Sequence, residues 1–338
     1  MTQLTGSGTT SSVSHAVHEA PPAPEYAIEA FRLTRRFQSG RGVEITAVDR
    51  LDLRVPRGYI FGLVGPDGAG KTTTIRMLCG IIPPSEGTAR IVGYDVTRQV
   101  GHVHRHTGYM SQRFTLYEDL TVEENIRFFA SIFGIPTRQR EARMAELLAF
   151  AGLESFRRRR AAHLSGGMKQ KLALACTLIH EPEVLLLDEP TTGVDPVARR
   201  DLWRILYALV GRGVTILVST PYMDEAERCN MVAFLYAGRL LAVGTPDELK
   251  RRLRWQVLSV RARPLEAARH VAGEVPGIVD VQIMGDTLHL FVEDAEAVMP
   301  ALRRALEGEE IEVRTLRRVV PSMEDVFMAL MADKEGTR

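Results

Sequence analysis

Eight consecutive residues, Gly65-Pro66-Asp67-Gly68-Ala69-Gly70-Lys71-Thr72, restrict this 338-residue chain more than any other feature. They follow the pattern G-x-x-x-x-G-K-[ST] and lie between an apolar run, Tyr59 to Val64, and a segment from Thr73 to Cys79 patterned as a helix. The pattern has a mechanical meaning only in that setting, where a strand ends, the backbone doubles back through glycines, and a helix starts. The turned-in backbone N–H groups then converge, and the helix N-terminus adds positive potential, so a phosphate fits there. Lys71 is placed to reach the β- and γ-phosphates of a nucleotide, and the Thr72 hydroxyl to ligate Mg²⁺.

Such a loop needs a parallel sheet behind it. Val184 to Leu187 and Val214 to Ser219 are strand-length apolar runs separated by a helical stretch, Ala198 to Val210. Strand, helix, strand in this order predicts right-handed parallel crossovers and an α/β core. The first run ends in Asp188-Glu189. Asp188, at the carboxyl edge of a parallel strand, is a candidate to hold Mg²⁺ through its hydration shell, and Glu189 to polarise an attacking water. A bare acidic strand exit is the competing explanation, and the phosphate loop weighs against it.

The flanking chain supplies different patterns. Residues 1–24 are rich in Ser, Thr, His, Ala and Pro and read as a disordered tail. The stretch from about Glu25 to Gly65 alternates apolar and polar residues, as an antiparallel β portion does. Residues 112–163 turn helical, with a capping box at Thr121 and Glu124 and an apolar face of Ile126, Phe129, Ala130 and Phe133. A further helix, Gly166 to His180, places Leu172, Ala175, Cys176 and Ile179 on one face. After about Leu253 the pattern becomes β-α-β-β-α-β, the ferredoxin-like order, closed by a helix from Ser322 to Met331. The expected domains are 25–253, with a helical subdomain at about 113–165, and a small α+β domain at 254–338.

Composition excludes several alternatives. Hydrophobic residues make up 45% and charged residues 25%, as in ordinary globular chains. Forty-three Lys and Arg face 42 Asp and Glu, a net charge of +1 that gives no electrostatic reason to expect nucleic acid. Cys79, Cys176 and Cys229 are scattered, which fits neither a disulfide framework nor a zinc site. No apolar stretch approaches the roughly 18 residues of a membrane helix, and no basic start precedes an apolar core as in a signal peptide. Work at a membrane would go through a partner.

Leu164-Ser165-Gly166-Gly167-Met168-Lys169-Gln170 does not follow from phosphate-loop physics. With it, over residues 27–250, the chain resembles the nucleotide-binding subunits of ABC transporters. The phosphate loop, Gln112 in Tyr109-Met110-Ser111-Gln112, the L-S-G-G-x-[QKR]-Q signature, Asp188–Glu189 and Gly193-Val194-Asp195-Pro196 occur in that family's order. The resemblance implies a RecA-like P-loop NTPase cassette using ATP and Mg²⁺. It also implies a head-to-tail pair of cassettes, in which one chain's Ser165, Gly166 and Gly167 meet the γ-phosphate held by the other. Phe37 would stack on adenine, although packing at a strand edge explains it as well. Gln112 would sense Mg²⁺ and the attacking water, and Arg113 to Leu120 would face the cytoplasmic helix of an integral-membrane permease. Pro321-Ser322-Met323-Glu324-Asp325-Val326-Phe327 resembles the P-S-L-E-D-V-F segment of type-2 exporter ATPases, the drug and polysaccharide export branch. The implied place is the cytoplasmic face of the inner membrane, as a peripheral subunit.

One position departs from the family. In Leu217-Val218-Ser219-Thr220-Pro221-Tyr222, Pro221 stands where the family has a histidine contacting the γ-phosphate. Proline has neither a side-chain donor nor an N–H. This raises the expectation of a slow own site, working beside a histidine-bearing cassette. Alternating His102, His104 and His106 could line a strand and bind metal, but they have no carboxylate or thiol cluster, and a solvated segment is expected. Arg157 to Arg160 could touch lipid headgroups, with a solvated charge run preferred. Competing functions are a non-transport ABC ATPase and a binding-only regulatory cassette.

Overall fold

The computed structural model describes residues 25–335 apart from residues 39, 41 and 113–115; the tail expected at 1–24 and the start of the expected coupling segment lie outside the described residues. Two long strands, β1 (Tyr26–Gln38) and β2 (Glu44–Pro56), precede β3 (Ile60–Val64) and helix α1 (Lys71–Leu78). Next come β4 (Glu86–Ile91), β5 (Tyr94–Asp95), α2 (Val100–His106) and β6 (Thr107–Met110). The helical segment holds α3 (Val122–Ile132), α4 (Thr137–Ala151) and α5 (Gly166–Leu178). It is followed by β7 (Val184–Asp188), α6 (Pro196–Val210), β8 (Thr215–Thr220) and the single turn α7 (Met223–Ala226). The first unit is completed by β9 (Met231–Tyr236), β10 (Arg239–Gly244) and α8 (Pro246–Arg251). The remainder is β11 (Gln256–Arg263), α9 (Leu265–Gly273), β12 (Ile278–Met284), β13 (Thr287–Val292), α10 (Ala295–Gly308), β14 (Glu312–Val319) and α11 (Met323–Glu335).

Among the described residues the strands form three sheets. An antiparallel one has the order β2-β1-β4-β5, and a six-stranded one runs β10-β9-β3-β8-β7-β6. In the latter β9, β3, β8, β7 and β6 are parallel and β10 is antiparallel. The uninterrupted apolar runs are explained by burial on both faces. Ile60, Val64, Leu185, Leu187, Ile216 and Val218 pack with the helices on one side, while Phe61, Leu63, Val184, Leu186 and Leu217 pack with β1, β2 and α1 on the other. Each such side chain contributes about 1.5–3 kcal/mol of transfer free energy. Helix α5 departs from the single apolar face expected of it. Every residue from Leu172 to Leu178 is buried, because the helix runs between the sheet and α3, α4 and α6.

The capping box forms: Thr121 Oγ1 accepts from Glu124 N, and Thr121 N donates to Glu124 Oε2 at 2.8 Å. The arginine run is exposed, as expected of a solvated charge run, and it also has a structural part. Arg159 O accepts from Val122 N and Arg157 pairs with Glu123 at 2.7 Å, so the run closes the start of α3. The three histidines lie, as expected, on a largely solvated segment, which is a helix. His102, His104 and His106 lie on α2, where residues four apart share a face. His102 and His106 both stack on Tyr94, and His106 Nδ1 lies 2.7 Å from Glu183. His104 Nε2 lies 3.0 Å from Cys79 O.

The last sheet has the antiparallel order β12-β13-β11-β14, which is the ferredoxin-like arrangement, with α9 and α10 covering one face. The helix expected to close this small domain goes elsewhere. Met323, Val326 and Phe327 of α11 join the core of the first unit, and the Phe327 ring lies 5.4 Å from that of Phe234. The small domain keeps hold of α11 through His289 Nδ1, 2.7 Å from Asp325 Oδ1.

Candidate active site

Strand register assembles the site. Val64 pairs with Thr220, Asp188 with Ser219, and Met110 with Leu187, so β3, β8, β7 and β6 end side by side. Their exits carry Gly65, Pro221, Glu189 and Gln112, at the carboxyl edge where open α/β sheets bind ligands. Gly70 has to be glycine: its φ is +103°, and a Cβ there would lie 2.5 Å from Ala47 O. It caps α1 without a side-chain bond, and no acid stands in the first turn, so the helix N-terminal N–H groups remain available to an anion.

Within the cleft the polar groups are tightly engaged. Lys71 is 4% exposed; its Nζ donates to Gly65 O (2.8 Å) and Pro66 O (3.0 Å) and sits 3.2 Å from Glu189 Oε1. The other oxygen, Glu189 Oε2, accepts from Gln112 Nε2 at 2.9 Å and from Thr192 Oγ1 at 3.4 Å. Glu189 is fixed from behind as well, since its N–H faces Ser219 O and Oγ, both at 3.1 Å. Asp188 is fully buried, and its Oδ1 accepts from Thr72 Oγ1 (3.0 Å) and Ser219 Oγ (2.8 Å). Burial raises its carboxyl pKa, and neighbouring Glu189 adds to this, against the opposing hydroxyl bonds.

Asp188 Oδ2 is buried with no hydrogen-bond partner among the described residues. An orphaned carboxylate oxygen beside a Thr hydroxyl is a donor set that suits a hard cation such as Mg²⁺. The cleft, about 550 Å³, is bordered by Gly68, Ala69, Gly70, Asp67, Lys71, Thr72 and Thr73 on the loop side and by Gln112, Glu189, Thr192, Pro221 and Tyr222 opposite.

The structure thus brings together Lys71, Thr72, Gln112, Asp188 and Glu189. It does not bring in Phe37, which is 39% exposed on β1, outside the cleft lining, with the Arg35 guanidinium 4.6 Å from its ring centroid. Ser165, Gly166 and Gly167 also lie outside the lining. Ser165 and Gly166 are exposed at the start of α5, where Ser165 Oγ accepts from Met168 N, and Gly167 is buried against Ala198. Ser219, Thr192 and Tyr222 are site residues that the sequence reading passed over. Ser219 alone had a signal, its strand-end position in step with Asp188.

Residues 48–192 match the family model described as ABC transporter, and residues 244–331 match the ATP-binding protein DrrA1-3-like C-terminal domain. The chain is 39% identical over 309 residues to the Nod factor export ATP-binding protein I of Paraburkholderia xenovorans (strain LB400), covering 91% of this chain and 97% of that one. It is an ABC-transporter ATP-binding cassette. This cassette is related to export ATPases of the type-2 branch. It is also 44% identical over 251 residues to the probable multidrug ABC transporter ATP-binding protein YbhF of Escherichia coli (strain K12), and spans 42% of that protein's length. Among solved structures, one described as the ATP binding subunit of an ABC transporter has a TM-score of 0.60 and 32% identity, covering 67% of this chain and 92% of that one. The dimeric structure of the bacterial ABC transporter cassette MJ0796 has a TM-score of 0.59 and 25% identity, covering 64% and 98%. The family implies binding of ATP with Mg²⁺. Among the described residues no helix is long and apolar enough to cross a membrane.

Proposed function

We propose that this cassette binds and hydrolyses ATP to drive export through a separate integral-membrane permease, from the cytoplasmic face of the membrane and paired with a second cassette. The observation that carries the proposal is the convergence of Lys71, Thr72 and Glu189 on one cleft, with Asp188 bonded to Thr72 behind it, while Ser165 and Gly166 stand exposed outside it. An exposed helix start with no acid in its first turn suits a phosphate presented by another chain. The dimeric MJ0796 cassette and the export functions named for the relatives support the same reading.

Each residue then has a task. The N–H groups of the Gly65–Thr72 loop bind phosphate oxygens. Thr72 and Asp188 would hold Mg²⁺, which supplies charge neutralisation between the β- and γ-phosphates. Lys71 leaves Glu189 for the phosphates, which frees Oε1 to accept the proton of the attacking water while Gln112 and Thr192 hold Oε2. Selection of the exported compound falls to the permease.

A second reading follows from Pro221 in the cleft wall: the cassette is the slow half of an asymmetric pair, lending its signature to a faster site. Purification from detergent-solubilised membranes tests the main reading. A co-purifying permease is expected, and ribosomes or DNA in its place would overturn it. Brisk hydrolysis by the purified chain alone, abolished by Glu189→Gln, would overturn the asymmetric reading.

A further inference from the structure

The wall of the cleft facing the phosphate loop is short of hydrogen-bond donors. One N–H of Gln112 Nε2 and the Thr192 Oγ1 hydroxyl are engaged by Glu189 Oε2. Pro221 has no donor of any kind. The Tyr222 N–H is held by Thr220 Oγ1 at 3.0 Å. What remain on this wall are the second N–H of Gln112 and the hydroxyl of the lining residue Tyr222, which has no hydrogen-bond partner among the described residues.

The ring that carries it is held in place. The Arg199 guanidinium lies 4.4 Å from the Tyr222 ring centroid, and Arg199 is itself flanked by Asp224 and Glu225, each at 3.6 Å. Glu225, fully buried, accepts from Thr220 Oγ1 at 2.6 Å and from Trp203 Nε1 at 3.4 Å. The turn Thr220-Pro221-Tyr222 is therefore clamped from β8, α6 and α7 together. A phenol O–H is a good donor to an anionic oxygen.

We propose that Tyr222 is a nucleotide-contacting residue, whose hydroxyl donates to the terminal phosphate of ATP across the cleft from Lys71. This rests on the nucleotide-site reading above and replaces the slow-half reading, because it gives this wall the donor that Pro221 withholds. A donor to the terminal phosphate distinguishes ATP from ADP, and one that strengthens as charge moves during phosphoryl transfer also raises kcat.

The test uses the purified full chain and Tyr222→Phe, which keeps the ring under Arg199 and removes only the hydroxyl. Dissociation constants for Mg·ATP and Mg·ADP are measured in a Glu189→Gln background, which keeps ATP intact, and kcat is measured without that change. A bond to a charged partner predicts that Tyr222→Phe lowers the ATP-over-ADP preference, and kcat, each by about tenfold or more. The unfolding midpoint should stay where it is. Preference and kcat both within twofold of the parent would overturn the proposal while leaving the nucleotide site standing. A Glu189→Gln chain that binds neither nucleotide would overturn the site reading and this inference with it.

Discussion

The Lys71–Glu189 contact allows a quantitative test that needs no nucleotide. The two side chains are 4% and 6% exposed and their charged atoms lie 3.2 Å apart. Removing one partner of a buried pair leaves the other charge without compensation, at a cost of about 3–5 kcal/mol. Glu189 would retain its bonds from Gln112 and Thr192, which places Lys71→Met near the lower end, about 3 kcal/mol. Glu189→Gln strands the ammonium instead, but Lys71 keeps two carbonyl acceptors, so a smaller cost of about 2 kcal/mol is expected. The double variant has neither charge, and should cost much less than the sum of the two. The expected coupling is about 2–3 kcal/mol, measured by urea unfolding of the nucleotide-free protein in a double-mutant cycle. Costs that add to within about 0.5 kcal/mol would show that the contact carries no coupling, and the exchange of Lys71 from Glu189 to phosphate would lose its basis.

Three further outcomes are expected. Because burial raises the Asp188 pKa above 3.8, the folded chain takes up a proton that the unfolded chain does not, and stability falls as pH rises from that value through the folded pKa. Asp188→Asn should remove that slope and raise the urea midpoint at neutral pH, while Mg²⁺-dependent ATP binding, followed by calorimetry, is lost. At Asp325, burial pushes the pKa up but the bonds from His289 and Ser322 outweigh it, and the net shift is downward. Its contribution is therefore complete above 3.8 and fades as pH falls through the lower folded value; Asp325→Ala should cost about 2 kcal/mol at pH 7 and flatten that acid limb in urea titrations. Tyr117 and Phe128 are 46% and 36% exposed and pack edge-on at 4.4 Å. Their joint change to alanine should shift stability by less than about 1 kcal/mol and leave the chain's own ATPase intact, yet reduce permease-stimulated hydrolysis in reconstituted vesicles.

Local chemistry was legible in the sequence where a backbone need dictates residue type. The loop from Gly65 to Thr72 and the Thr121–Glu124 box each state a geometry by their spacing, and each forms. The alternation in β-α-β-β-α-β was equally plain, because period and turn residues change together. The histidines were not legible: a spacing of two and four residues fits a strand or a helix, and only Tyr94 decides which side chains they meet. Nor was the destination of α11. An apolar stripe specifies that a helix is buried, not which of two nearby surfaces takes it. Tyr222 was missed for a related reason, since its donor matters only once the partners of Gln112, Thr192 and its own N–H are known.

The placement of α11 also changes how the small domain is joined mechanically. The chain leaves the first unit after α8 and returns to it at Phe327, beside Phe234 and Tyr236, so the ferredoxin-like fold is clipped at two points like the handle of a cup. A handle of this kind cannot trail or swivel on a single tether. Cleavage between Arg252 and Trp255 would leave two fragments that remain associated through α11. Any torque on the small domain enters the wall built from β9, α7 and α8, one turn of helix away from Pro221 and Tyr222.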